Sequence, residues 1–174
     1  MTNTPLPFGV LAGTAAYPWP HLSINVATLA ALIAACRSAG VGYGLGSKAP
    51  TLSAVPGRDF HAIDCSGFVR WSLYQAAGHC TLPDGSVVQH DWIEAHGFKK
   101  SDVASAELHD GAVRIAFLSP ADGGGIGHVV LIVNGQTVES HGHYGPDRRF
   151  WTGDAWQGKC AVYVLAPPLS TIGQ

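Results

Sequence analysis

The chain has 174 residues, of which 47% are hydrophobic and 13% are charged, and its formal net charge is −2. This composition excludes a globally disordered chain, because the apolar side chains suffice for a core. The small charge, with no run of Lys or Arg, argues against nucleic-acid binding. A chain of this length fits one domain. We therefore expect a single domain over residues 1–174, with an extended, proline-rich lead-in over residues 1–22.

Three sequence features bear on the compartment. Residues 1–20 lack the basic start and apolar stretch of a signal peptide, and the most apolar segment, Val26 to Cys36, is too short to cross a bilayer. The four cysteines form no C-x-x-C pair, which argues against a structural zinc site and a disulfide scaffold. We expect synthesis in the cytoplasm without a signal peptide, no membrane span and reduced thiols, with a pairing of Cys36 with Cys80 or Cys160 left open.

Helices are predicted in the first part of the chain. The segment from Ser23 to Ala39 has apolar residues at the 3.6-residue period of a helix and is followed by Gly40. A second helix is predicted from Cys65 to about Ala77, with Asp64 as its N-cap and Gly78 as its terminator. A short third helix is predicted near residues 87–95.

Strand signals follow. Asn134-Gly135 lies between the segments His128–Val133 and Gln136–His141 and predicts a two-residue hairpin turn. Helices first and an antiparallel sheet afterwards indicate an α+β domain. Four strands are predicted: the β-branched and aromatic run Val113–Leu118, the segments His128–Val133 and Gln136–His141 that flank the turn, and Ala161–Ala166, which is ended by Pro167-Pro168.

Cys65 is a candidate nucleophile. In the first turn of the predicted helix it would lie among unpaired backbone N–H groups, which favour the thiolate. Its own N–H and that of its neighbour would also be placed to bind a developing oxyanion. The alternative is a buried cysteine that begins an amphipathic helix with a core face at Phe68, Val69 and Leu73.

His128 is the candidate base among nine histidines. It opens a predicted strand directly after the glycine-rich loop 123–127, at the rim of the sheet. With a two-residue turn, His128 pairs with His141, and Glu139 lies on the same face of the hairpin. Glu139 or His141 is therefore expected to orient the imidazole. The alternatives are solvated polar strand ends, or a zinc site that adds His143 to the two histidines; we expect no metal.

These residues resemble the NlpC/P60 family of papain-like cysteine peptidases, which act on cell walls. The run from Asp64 to Val69 matches the family's nucleophile motif at every position. Gly127-His128-Val129, followed by the hairpin, matches its catalytic-histidine hairpin. The segment Gly42 to Gly46 is similar to its tyrosine-containing segment. The resemblance covers roughly residues 33–166 and its cysteine motif is specific.

The resemblance implies a papain-like α+β fold, with N-terminal helices packed on a central antiparallel β-sheet. It implies cleavage of an amide bond next to D-glutamate in peptidoglycan stem peptides, through an acyl-enzyme and without a cofactor. Cys65 would be the nucleophile and His128 the base. Tyr43 would contact substrate, and Asp64 and Ser66 would help to hold a substrate amine.

The third catalytic residue does not carry over directly. In the family it lies one position further from the histidine than Glu139 does here. Removing one residue from the turn aligns it with Glu139, which we favour, whereas the cross-strand pairing favours His141. The segment Ser140 to Trp156, rich in aromatic residues and arginines, is interpreted as a substrate-binding rim or as a packed loop.

The resemblance also implies a place of action. Without a signal peptide, we expect a phage lysin or an exported antibacterial effector that acts in the periplasm or cell wall after delivery. Its partners would be peptidoglycan stem peptides and an immunity or inhibitor protein. Two alternatives remain open: Cys-His chemistry used for acyl transfer or deamidation of proteins, and a non-catalytic binding module.

Overall fold

A computed structural model describes residues 23–167 of the chain, so the lead-in predicted over residues 1–22 lies outside the described residues. Within the described range the helices come first and an antiparallel sheet follows, which confirms the predicted α+β class. The helices are α1 (Val26–Ser38), α2 (Cys65–Ala77) and α3 (Ser86–Ala95). The strands are β1 (Lys100–Ser101), β2 (Val113–Leu118), β3 (His128–Val133), β4 (Gln136–His141), β5 (Gly145–Asp147) and β6 (Ala161–Ala166).

The two longer helices begin at capping side chains. α1 begins later than predicted because Asn25, rather than Ser23, precedes its first turn and accepts a hydrogen bond of 3.0 Å from Thr28 N–H. α2 has the predicted bounds: Asp64 caps it, and Gly78 ends it in the left-handed conformation at φ 71°. Among the described helices, none is both long and apolar enough to cross a membrane.

The strands form one antiparallel sheet in the order β1-β6-β2-β3-β4-β5. The four predicted strands have the predicted bounds. The sequence does not predict β1 and β5, because strands of two and three residues are too short to show alternation. Asn134 and Gly135 adopt φ values of 48° and 68°, and positive φ at both positions is what a tight hairpin turn requires. The predicted turn is confirmed.

The pairing between β3 and β4 decides which side chain reaches His128. The pairs next to the turn follow the predicted register, but the ladder ends after three residue pairs. The predicted pairing of His128 with His141 is therefore wrong. The far half of β4 is held elsewhere, because it pairs with β5 and because Ser140 Oγ donates a hydrogen bond of 2.7 Å to the carbonyl of Ile63, just ahead of α2.

The core lies on both faces of the sheet. α2 packs against β3 and β4. This contact brings the start of α2 close to the first residue of β3 and to the second half of β4. Buried side chains in the layer between helices and sheet include Phe68, Leu73, Ile115, Leu131, Val138 and Tyr163. A smaller layer on the opposite face includes Ala116, Val130, Ile132, Trp151 and Val162.

All four cysteines lie within the described range and are free thiols, so the disulfide left open at Cys36 does not form. Burial raises the pKa of both Cys36 and Cys160 to about 12, which keeps them protonated and unreactive at neutral pH. Cys80 is half-buried, and burial raises the pKa of its thiol as well.

Candidate active site

Cys65 is the first residue of α2, and 5% of it is exposed. Asp64 caps the helix by accepting a hydrogen bond of 2.7 Å from Gly67 N–H. The N–H groups of Cys65 and Ser66 have no hydrogen-bond partner in the described part of the chain. Because free N–H groups at a helix N-terminus favour negative charge, Cys65 lies where a thiolate and a developing oxyanion are stabilised.

Tyr43 reaches Cys65 because the segment ahead of α2 is bonded to the segment that carries the tyrosine. Gly42 N–H donates to the carbonyl of His61 at 2.9 Å, and Ile63 N–H donates to the carbonyl of Gly42 at 3.1 Å. Burial and the negative charge at Cys65 raise the pKa of Tyr43. The structure thus places Tyr43 beside the candidate nucleophile.

His128 lies between Cys65 and a buried carboxylate. Its Nε2 is 2.8 Å from Glu139 Oε2, and its other partner is the side chain of Cys65. Burial by itself lowers the pKa of His128, but the hydrogen bonds to Cys65 and Glu139 outweigh it and raise the pKa from 6.5 to about 9. Trp156 packs edge-on against the imidazole, with ring centroids 5.7 Å apart. These contacts hold the ring in place, and the raised pKa favours the imidazolium.

Glu139 is fully buried and has three partners. Thr137 Oγ1 donates to Oε1 at 2.5 Å, and Arg149 donates from Nε to Oε1 at 2.8 Å and from Nη2 to Oε2 at 2.6 Å. Burial opposes ionisation, but the hydrogen bonds from His128 and Arg149 lower the pKa of Glu139 from 4.5 to about 2. Arg149 in turn lies over the face of Trp156, with Cζ 4.6 Å from the ring centroid. The carboxylate behind the imidazole is therefore charged and rigidly held.

His141, the other predicted orienter, contacts a different carboxylate. Its Nε2 is 3.5 Å from Asp147 Oδ2, and Asp147 also pairs with Arg37. His128 Nε2 donates its hydrogen bond to Glu139, not to His141. The choice that the sequence leaves open between Glu139 and His141 is therefore made by the path of β4.

Asp64 and Ser66, which the resemblance assigns to a substrate amine, bind an amine of the chain itself. Lys48 Nζ is bonded to Asp64 Oδ2 and lies 2.9 Å from Ser66 Oγ. Asp64 and Ser66 are only 5% and 2% exposed, whereas 27% of the Lys48 side chain is exposed. Sequence reasoning missed Lys48, because nothing in its neighbourhood marks one lysine of a loop as a partner of the nucleophile helix.

An open cavity of about 250 Å³ lies beside His128. Tyr43 and Trp156 contribute aromatic walls, and His141 and Arg149 contribute polar ones. His141 thus lies in the site without contacting the imidazole through a hydrogen bond. The cavity therefore opens on His128.

The segment 140–156 is partly rim and partly packed loop. Arg149 lines the cavity, while Trp151 is 3% exposed and donates a hydrogen bond of 2.9 Å to the carbonyl of Val103. Tyr144 and Phe150 are 69% and 75% exposed. The zinc alternative gains no support, since no group of three or more His, Cys, Asp or Glu side chains in the described part of the chain is arranged to hold a metal ion.

Neither the models of known protein families nor the curated proteins gave a match for this sequence. The chemical groups of the site define what it can do. A thiol at a helix N-terminus, an imidazole bonded to it and a carboxylate behind the imidazole are the groups that cysteine nucleophiles use. Together, Cys65, His128 and Glu139 can hold a thiolate beside an imidazolium, attack a carbonyl carbon and protonate a leaving amine.

Proposed function

We propose that this protein is a thiol hydrolase of the NlpC/P60 type, with a papain-like fold, that cleaves an amide bond in peptidoglycan stem peptides. The observation that carries the proposal is the hydrogen-bonded series Cys65–His128–Glu139 at the N-terminus of α2. The motif run from Asp64 to Val69 and the position of Tyr43 beside the thiol support it further.

The proposed reaction begins with attack of the Cys65 thiolate on the amide carbonyl carbon. The N–H groups of Cys65 and Ser66 stabilise the oxyanion, and the His128 imidazolium gives its proton to the leaving amine as the C–N bond breaks. The product is a thioester on Cys65. His128, now neutral, takes a proton from water, whose oxygen attacks the thioester and releases a carboxylic acid and the thiolate.

The proposed substrate is the amide bond next to D-glutamate in the stem peptide, and no cofactor takes part. The proposed place of action is the periplasm or cell wall, which the protein reaches after delivery as a phage lysin or an antibacterial effector. An immunity or inhibitor protein that covers the cavity beside His128 is the partner that such an effector would need.

The test is incubation with purified peptidoglycan, followed by measurement of new free amines and mass spectrometry of the released muropeptides. Wild type is expected to release amines, and the muropeptide masses identify the bond. Cys65→Ala is expected to be inactive but folded, and Cys80→Ala, which removes a half-buried thiol elsewhere, is expected to be active. No amine release by wild type at any pH would overturn the cell-wall substrate, and would favour acyl transfer or deamidation of proteins. Activity of Cys65→Ala would overturn the nucleophile.

A further inference from the structure

The carboxylate and hydroxyl on either side of Cys65 form an ammonium-binding pair that is already filled. Asp64 Oδ2 and Ser66 Oγ both bond to the Nζ atom of Lys48. Ser66 Oγ also donates to Asp64 Oδ1 at 3.1 Å, and Gly46 N–H donates to Asp64 Oδ2 at 3.2 Å. Every oxygen of the pair therefore has a partner within the chain.

The Lys48 side chain reaches this pair across Gly67. A Cβ atom at position 67 would lie 2.7 Å from Lys48 Cδ, so a larger residue in the first turn of α2 would push the lysine stem aside. The absence of a side chain at Gly67 thus leaves a channel along which the stem of Lys48 runs.

Because of its charge, the pair formed by Asp64 and Ser66 can bind only one ammonium group at a time. Asp64 is 5% exposed, and a single buried carboxylate cannot neutralise two ammonium groups at once. A substrate ammonium at this point would have to displace Lys48. The same ammonium cancels the negative charge of Asp64 directly beside Cys65, where an uncompensated carboxylate would oppose formation of the thiolate.

We propose that Lys48 is an internal ammonium that excludes free amines from the position beside Cys65. The preferred substrate then carries an acylated nitrogen, rather than a free amine, at the position beside Cys65. This inference rests on the proposed function. If the substrate is peptidoglycan, as proposed above, the enzyme acts on stem peptides whose N-terminus is still amide-linked to the rest of the wall.

The test compares two thiol reagents of equal charge on Cys65. Aminoethyl methanethiosulfonate carries a primary ammonium, which can donate hydrogen bonds to Asp64 and Ser66. Its trimethylammonium counterpart has the same charge but no N–H group. The rate of labelling at Cys65 is followed by peptide mass spectrometry for each reagent. The rate with the primary ammonium is divided by the rate with the trimethylammonium, and this ratio is divided by the same ratio measured for free cysteine.

In wild type and in Lys48→Arg, which keeps a cation on the pair, the normalised ratio is expected to stay within about twofold of one. In Lys48→Met it is expected to rise about tenfold, because the vacated pair gains a charge-assisted hydrogen bond to the primary ammonium. The double variant Lys48→Met/Asp64→Asn is expected to lose that gain. Circular dichroism checks the fold of each variant, and Lys48→Gln serves as a second neutral variant.

A tenfold preference for the primary ammonium in wild type would overturn the inference, and so would an unchanged ratio in folded Lys48→Met and Lys48→Gln. Failure of both reagents to label Cys65 would overturn it as well, together with the nucleophile on which it rests. The readout needs no turnover. Inactivity on peptidoglycan would therefore overturn the proposed function and leave the result at the ammonium pair intact.

Discussion

Arg149 and Glu139 form a two-bond ion pair directly behind the imidazole of His128. The guanidinium nitrogens lie 2.8 Å and 2.6 Å from the two carboxylate oxygens, and His128 shares the second of these oxygens. Two parallel hydrogen bonds fix the plane of the carboxylate as well as its charge. The orientation of His128 therefore depends on a residue that does not touch it through a hydrogen bond.

Replacing Arg149 with Met is expected to destabilise the protein by about 2 kcal/mol, because it leaves the buried carboxylate with fewer partners. We expect kcat/KM to fall at least roughly tenfold, since Glu139 no longer holds one orientation. Arg148→Met is the matched control, because Arg148 is exposed and its hydrogen bond, of 3.3 Å, is to Gln136. Urea unfolding and peptidoglycan hydrolysis measure the two effects. Equal effects of the two substitutions would contradict the role of Arg149.

Glu139→Gln is expected to change the pH dependence of catalysis. The carboxylate helps to raise the pKa of His128 to about 9, so wild-type kcat/KM should fall as pH rises through about 9 and the imidazolium is lost. A neutral amide stabilises the imidazolium less, so this alkaline limb should move to lower pH, and kcat/KM at the optimum should fall about a hundredfold. The measurement is kcat/KM against pH for both proteins. An alkaline limb that stays in place would rule out Glu139 as the group that holds the proton on His128.

The same two groups are expected to make stability depend on pH. The pKa of Glu139 is lowered from 4.5 to about 2, so its contribution is present above pH 4.5 and is lost as pH falls towards 2. The pKa of His128 is raised from 6.5 to about 9, so its contribution is present below pH 6.5 and is lost as pH rises through 9. Urea unfolding at about pH 6 and about pH 3 measures this effect. Between these two pH values the free energy of unfolding should fall less in Glu139→Gln than in wild type. Glu107→Gln, at an exposed carboxylate, is the control, and a loss equal in all three proteins would contradict the expectation.

Gly135→Ala tests the hairpin that carries His128 and Glu139. Gly135 has φ +68°, and a Cβ there would lie 2.8 Å from the carbonyl oxygen of Glu107. We expect destabilisation of about 2 kcal/mol from the backbone strain and the contact. Gly142→Ala should be nearly neutral, because a Cβ at Gly142 would meet nothing within 4 Å. Thermal unfolding of both variants checks the difference, and similar melting temperatures would argue against strain at the turn.

The elements that depend on neighbours along the chain are predictable from the sequence. Asp64 and Gly78 mark the ends of α2 because a side-chain cap and a left-handed glycine act within one helical turn. Asn134-Gly135 marks the hairpin because few other residue pairs adopt positive φ twice in succession. The four longer strands are equally readable, since β-branched and aromatic runs and the hairpin turn mark them locally.

The sequence marks Cys65 and His128 as candidate nucleophile and base. The two residues lie together because α2 packs against β3 and β4. The sequence by itself thus determined the α+β class and the bounds of α2 and of the four longer strands. It also determined that Cys65 begins α2 and that His128 begins β3. The tertiary structure alone decided that Glu139 rather than His141 bonds to His128, because the ladder between β3 and β4 ends three pairs from the turn. It alone brought Arg149 to Glu139 and Lys48 to Asp64, across 10 and 16 positions of the chain. Contacts at that separation depend on the path of loops, which no local periodicity encodes.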